Sequence, residues 1–191
     1  KLMDGVEPIE AGGKSEYDNG NGSLMRILPL LAVTNGKHSI DRMAVCRDVG
    51  SVTHGHPRSI IACYLYLVFC ENLLRTGSKE QAYQATKSSF LEMDTTFNGE
   101  YKKESHHFLP LFDSDISMKR EDQIHSGGYV VHTLYASIWC LMCTDNFPDA
   151  VLKAVNLGED TDTTAAVTGG MAGILYGVDG IPKDWLAVLV R

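Results

Sequence analysis

An all-α single domain is what this sequence predicts, on three observations. Apolar residues recur at helical spacing in segment after segment. Alternation of the kind that marks a half-buried strand is scarce, and no repeat or clear domain boundary interrupts the chain. The third is size: with 191 residues, 44% hydrophobic and 21% charged, the chain buries about 70% of the surface its unfolded form exposes. One core then holds it without a disulfide or metal staple.

The elements follow in order. Residues 1–22, rich in Gly, Asp, Glu and Asn and ending in Asp18-Asn19-Gly20-Asn21-Gly22, hold no period and read as loop. A helix is predicted from Ser23, a fair N-cap, through Leu24, Ile27, Leu28 and Leu31, with Pro29 as a kink and Gly36 as the stop. Asp41 to Gly50 reads as a short helix with Met43, Ala44 and Val45 inward. After the polar turn Thr53-His54-Gly55-His56-Pro57, the proline suits a first helical turn, where its missing N–H is not required. The helix it opens runs to about Arg75, is apolar nearly all round and ends at Gly77, which places it at the centre of a bundle. Lys79 to about Met93 is amphipathic and helical in composition. Asn98 to Gly128, with His106, His107 and Pro110, is mixed and mostly polar. Tyr129 to Cys143 and Pro148 to Val155 return to helical patterns.

Composition narrows the function classes. A net charge of -7 without any Lys and Arg cluster argues against contact with a nucleic-acid backbone. The longest apolar run, Ile60 to Cys70, is closed by Glu71 and Asn72, well short of the roughly 18 residues of a membrane span. Five cysteines, an odd count set mostly among apolar neighbours, fit a reduced, cytoplasmic setting. Lys1, Asp4, Glu7 and Glu10 break any apolar stretch that would make a signal peptide. Lys1 is not a methionine, so either Met3 is the natural start or the chain is a piece of a longer protein.

The segment richest in chemistry is Asn156-Leu157-Gly158-Glu159-Asp160-Thr161-Asp162-Thr163-Thr164, where acidic and hydroxyl side chains crowd the entrance to a small-residue helix. With the helix starting near Asp162, Asp160 and Thr163 converge on one side. Oxygen donors of this kind suit a hard cation such as Mg²⁺. Asp and Thr are also favoured caps for reasons unrelated to metals, and composition alone favours that plainer account. Ala166, Gly169, Gly170, Gly173 and Gly177 tilt the balance: each interior glycine costs about 1 kcal/mol in a helix, so several together predict close helix–helix approach.

These residues carry a resemblance. Gly158-Glu159-Asp160-Thr161-Asp162-Thr163, running on to Tyr176-Gly177, resembles the ADP-ribosylglycohydrolase family, and three further segments agree in order and spacing. They are Gly20-Asn21-Gly22-Ser23-Leu24-Met25-Arg26 with Pro29, the turn Thr53-His54-Gly55-His56-Pro57, and Ser126-Gly127-Gly128-Tyr129-Val130-Val131-His132-Thr133-Leu134. The resemblance implies an all-α fold and hydrolysis of the bond joining ADP-ribose to a protein side chain. It implies a pair of Mg²⁺ ions, with Mn²⁺ as a substitute, and Asp160, Asp162 and Thr163 as ligands. Gly20, Asn21, Gly22 and Ser23 are implied to hold the diphosphate through backbone N–H groups. His54 is implied to lie beside the distal ribose or phosphate, and Gly128 with Tyr129 to flank the adenosine end.

The departures matter too. Members of the family carry upstream a Thr-Asp-Asp run that supplies the other metal ligands, and usually an earlier glutamate beside the scissile bond. This chain has neither, so the resemblance covers about the C-terminal two-thirds of a catalytic domain and assigns no catalytic residue. Glu159 stands where a glycine is common. A non-catalytic relative or fragment that binds ADP-ribose or a partner protein is the alternative reading. Helix faces left uncovered by a missing segment would make the chain self-associate.

Weaker signals carry less. Gly20-x-Gly22 lacks a third glycine and a βαβ setting, which excludes a dinucleotide fingerprint. His54-x-His56 with His106-His107 matches no standard zinc spacing. Cys140-x-x-Cys143 lies in an apolar helical run, where buried thiols act as small hydrophobes. Arg26 would either meet a phosphate or pair with a carboxylate inside the bundle, and its apolar neighbours favour the structural role.

Overall fold

The computed structural model describes residues 1–189, and among these no strand forms. The opening residues are not wholly loop: a 3₁₀ turn covers Leu2–Asp4 and helix α1 covers Pro8–Ala11, with Pro8 at the first turn. Beyond α1 the backbone runs beside residues 51–55, Gly12 N–H donating to Ser51 O (2.8 Å) and Gly55 N–H to Gly13 O (2.8 Å). A Cβ at Gly12 would overlap the Ser51 carbonyl, so only glycine permits this pairing.

The single helix expected from Ser23 is three pieces: 3₁₀ turns at Leu24–Arg26 and Leu28–Leu30, then α2 at Leu31–Thr34. Pro29 explains the break, because it offers no N–H to continue an i→i−4 ladder. Ser23 holds the N-cap position as expected, but its backbone is already helical and its buried side chain caps no N–H. Helix α3, Ser39–Gly50, turns Arg42, Met43 and Cys46 inward, with Ala44 and Val45 only half-buried. Burying an arginine there is possible because Arg42 pairs with Glu71.

Glu71 belongs to α4, Pro57–Thr76, capped by Gly77 at φ 62°. Every residue from Ile60 to Cys70 is buried. The helix has 20 residues, and an 18-residue window of it has a mean hydropathy of 1.2, enough to cross a bilayer by length and composition, but 78% of that window is buried within the protein. It is the hub, in contact with α3, α5 (Lys79–Leu91), α9 (Val130–Met142) and α11 (Thr161–Tyr176).

The polar stretch after α5 is folded into short helices, α6 (Met93–Thr96), α7 (Lys102–Ser105) and α8 (Leu109–Phe112), and further 3₁₀ turns. Its scattered aromatics anchor it: Phe97 meets Tyr64 and Tyr101 edge-on, each at 5.6 Å. Helix α10 (Phe147–Asn156) lies against α11, and α12 (Lys183–Val188) follows.

Close approach of α11 to the core rests on one glycine rather than a whole stripe. A Cβ at Gly170 would come within 2.6 Å of the Tyr66 hydroxyl and 2.7 Å of Leu28 Cδ2, whereas Gly173 faces open space. Ala166 is exposed. The Tyr66 hydroxyl donates to Val167 O (3.0 Å), fixing α11 on α4. All five cysteines are unpaired, four of them buried, and burial pushes the Cys63 and Cys140 thiols up to about 12.

Candidate functional site

Four turns converge at one end of the helical layers: residues 18–23, 53–57, 126–130 and 158–163. Backbone ties bring the first and third together, Asn21 N–H donating to Gly128 O (3.0 Å) and Val130 N–H to Asn19 O (2.9 Å). The fourth joins through Asp160 N–H to Ser126 O (3.2 Å) and the Ser126 hydroxyl to Gly158 O (3.0 Å). Side chains then lock the cluster. Buried Asn21 uses one amide group twice, donating to Asp160 Oδ2 (2.7 Å) and Thr133 Oγ1 (2.8 Å).

Asp160 is the N-cap of α11, with Asp162 exposed in the first turn and Thr163 buried. The Asn21 hydrogen bond holds the Asp160 carboxyl below its ordinary 3.8, against some opposition from burial, and Thr163 and Asp162 add to the lowering. Asp160 is therefore a carboxylate at neutral pH. Glu159 adopts φ 55°, a left-handed conformation that favours glycine, and its carboxylate accepts from Ser126 N–H (3.0 Å). That geometry gives a physical reason for a glycine at this position.

The Gly20–Ser23 turn sits over His54. A Cβ on Gly22 would stand 2.7 Å from His54 Cε1, and one on Gly20 would stand 3.3 Å from Nε2. The Arg26 guanidinium donates to Thr53 Oγ1 from both terminal nitrogens (2.9 and 2.8 Å), which leaves the Thr53 hydroxyl to donate to His54 Nδ1 (2.7 Å). The His54 proton then sits on Nε2, an assignment made from the hydrogen-bond network. Burial, aided by Arg26, lowers the His54 pKa, so the ring is neutral near pH 7. Arg26 meets no carboxylate among the described residues; its contacts fix this turn.

The N–H groups of Gly20, Gly22 and Ser23 have no acceptor among the described residues, whereas that of Asn21 is already used on Gly128. Gly128 is exposed, and a Cβ there would lie 3.5 Å from Asp160 Oδ2. Tyr129 is half-buried and shares a shallow pocket with Glu16, Tyr17, Asn19, Gly20 and Gly128.

Sequence reasoning missed what stands behind Tyr129. Arg58 donates to the Tyr129 hydroxyl (3.3 Å) and to buried Glu104 (2.6 Å), and lies 3.6 Å from Glu16. Its place directly after His56-Pro57 was the available signal. The four segments singled out in the sequence are thus brought together, with His54, Gly20, Asn21, Tyr129 and Asp160 in one cluster. The Ser23 side chain points into the core instead.

Over residues 1–191 the chain matches the family model described as ADP-ribosylglycohydrolase. It is 36% identical over 174 residues to the ADP-ribosylarginine hydrolase Tri1 of Serratia proteamaculans, covering 90% of this chain and 43% of that protein. It is 31% identical over 175 residues to the ADP-ribosyl-[dinitrogen reductase] glycohydrolase of Rhodospirillum rubrum, covering 92% of this chain and 52% of that one. A solved structure titled "ADP-ribosylglycohydrolase-related protein complex" superposes with a TM-score of 0.75 at 26% identity, over 93% of this chain and 57% of that chain. The chain thus spans about half the length of the curated relatives it matches.

Proposed function

The chain belongs to the ADP-ribosylglycohydrolase family, and from that premise we propose that it serves hydrolysis of the glycosidic bond between ADP-ribose and a protein side chain. Two similar relatives are named ADP-ribosylarginine hydrolases, which supports an arginine linkage. The observation that carries the reading is the 2.7 Å hydrogen bond from Asn21 to Asp160. It sets a turn with free backbone N–H groups beside a turn with a poised carboxylate.

The chain's own groups divide the substrate between them. Gly20 and Gly22 N–H would receive the diphosphate, whereas the fully buried Ser23 is out of its reach, and His54 would donate from Nε2 to a phosphate or ribose oxygen. Gly128 and the Tyr129 ring would flank the adenosine end. Asp160, Asp162 and Thr163 supply hard oxygen donors, right in kind for Mg²⁺ or Mn²⁺. Bound Mg²⁺ would orient the sugar diol and lower the pKa of the attacking water. Asn21 keeps Asp160 ionised and aimed, which prepares it to hold a cation.

A second reading also has an observation behind it. No three or more His, Cys, Asp or Glu side chains gather in a metal-holding group among the described residues, and the sequence contains no Thr-Asp-Asp run. That favours ADP-ribose binding without turnover by these 191 residues on their own.

Release of ADP-ribose from an arginine-ADP-ribosylated protein, with and without Mg²⁺, tests the two readings, with Asp162→Ala as control. Mg²⁺-dependent release that Asp162→Ala abolishes supports hydrolysis. Calorimetric binding of ADP-ribose without release supports the binding module. Neither release nor binding overturns both.

A further inference from the structure

A cavity of about 370 Å³ shares only Tyr129 with the shallow pocket at Gly20. Its size is that of a small-molecule site. Buried Phe108, Leu111 and Val131 form its apolar lining. Its aromatic wall is continuous: the His125 and His132 rings stack at 5.1 Å and 30°, and His132 meets the Tyr129 ring edge-on at 4.9 Å. Tyr135 completes it.

Three polar groups here are uncommitted. The imidazoles of His125 and His132 and the Tyr135 hydroxyl make no hydrogen bond to the protein among the described residues, although His132 and Tyr135 are half-buried. Among the described residues no carboxylate lines the cavity, and Lys119 is its one lysine or arginine. The Lys119 ammonium forms a long ion pair with Asp113 (3.9 Å) without a hydrogen bond, so an incoming anion would share this cation with Asp113. Its backbone is held independently, since Lys119 O accepts from the Trp139 indole (3.1 Å).

We propose that this cavity is a second binding site, for a planar aromatic molecule carrying a carboxylate or similarly small anion. The ring stacks among Tyr129, His132 and Tyr135, and the anion meets Lys119, with the imidazoles as hydrogen-bonding groups. The assignment does not depend on the hydrolase reading. Tyr129 becomes a wall common to two sites.

Three probes of one shape test it: 1-naphthoate, 1-naphthylmethanol and 1-naphthylmethylamine, titrated into the full chain while the His125 and His132 imidazole resonances are followed. Saturable naphthoate binding is expected, with the alcohol weaker by about tenfold, the size of one charge-assisted hydrogen bond, and the amine weaker still. Lys119→Met should reduce naphthoate to the level of the alcohol and leave the alcohol unchanged, while His132→Ala should weaken both. Equal affinity for the three probes, no saturation in the low millimolar range, or indifference to Lys119→Met would overturn the proposal. So would one-for-one displacement of naphthoate by ADP-ribose, which would make the cavity part of the nucleotide's own seat. Failure of the ADP-ribose release assay would leave these results untouched.

Discussion

Glu71 and Asp160 are carboxylates anchored in the same helical body, and they are satisfied in opposite ways. Glu71 accepts from the buried Arg42 guanidinium and from Gly36 N–H (2.6 Å). Asp160 accepts from Asn21 and takes no cationic partner among the described residues. The first charge is spent on holding α3 and the Gly36 turn to α4. The second is kept ionised by neutral donors and remains available to a cation. A carboxylate's partners, more than its burial, separate a structural acid from a poised one.

The largest effect should come from breaking the structural pair. Glu71→Ala leaves the Arg42 charge, only 6% exposed, without compensation, and unfolding in urea should show a loss of about 3–5 kcal/mol. ADP-ribose binding should survive in whatever fraction stays folded. Gly22→Ala probes the other side of the comparison, because its Cβ would press on His54 from 2.7 Å. It should cost about 1–3 kcal/mol of stability and more in ADP-ribose affinity, read by calorimetry.

Asn21→Ala should cost about 1–2 kcal/mol, the price of unpairing buried polar groups, and should return the Asp160 pKa toward 3.8, read by NMR titration of the carboxyl. The smallest effect is a pH dependence. The folded-state pKa of Asp160 lies below 3.8, so its contribution is complete above that value and is lost as pH falls through the folded pKa. The stability gap between parent and Asn21→Ala should therefore be constant at neutral pH and narrow below about pH 3.8. A gap that widens with acid would refute the assignment of Asn21 as the main cause.

The long helices were legible because their signals are local. Pro57, Gly77 and the apolar run between them bound α4 with no help from the rest of the chain. Over residues 24–34 the Pro29 kink was legible, but periodicity records side chains and does not show that the missing N–H divides the segment into two 3₁₀ turns and a short helix. Arg42 was invisible as a core residue, since its burial depends on Glu71 in another helix. Pairing of Gly12 and Gly13 with residues 51–55 is backbone against backbone and leaves no side-chain pattern. At the site, Gly20-Asn21-Gly22 and the Asp160 turn stood out as motifs. That Asn21 bridges Thr133 and Asp160 could be learned only from the fold.

The Asn21–Asp160 tie joins residues 139 positions apart. Closing so long a loop is entropically expensive, and contacts of that separation form late, after local helices have condensed. The tie is therefore expected to form after the helices between its ends. Its ends are also pinned by different helices, so opening it requires loosening the body that separates them. Amide exchange at Asn21, whose N–H donates to Gly128 O, would then report on the packing of the helices that hold the two turns together.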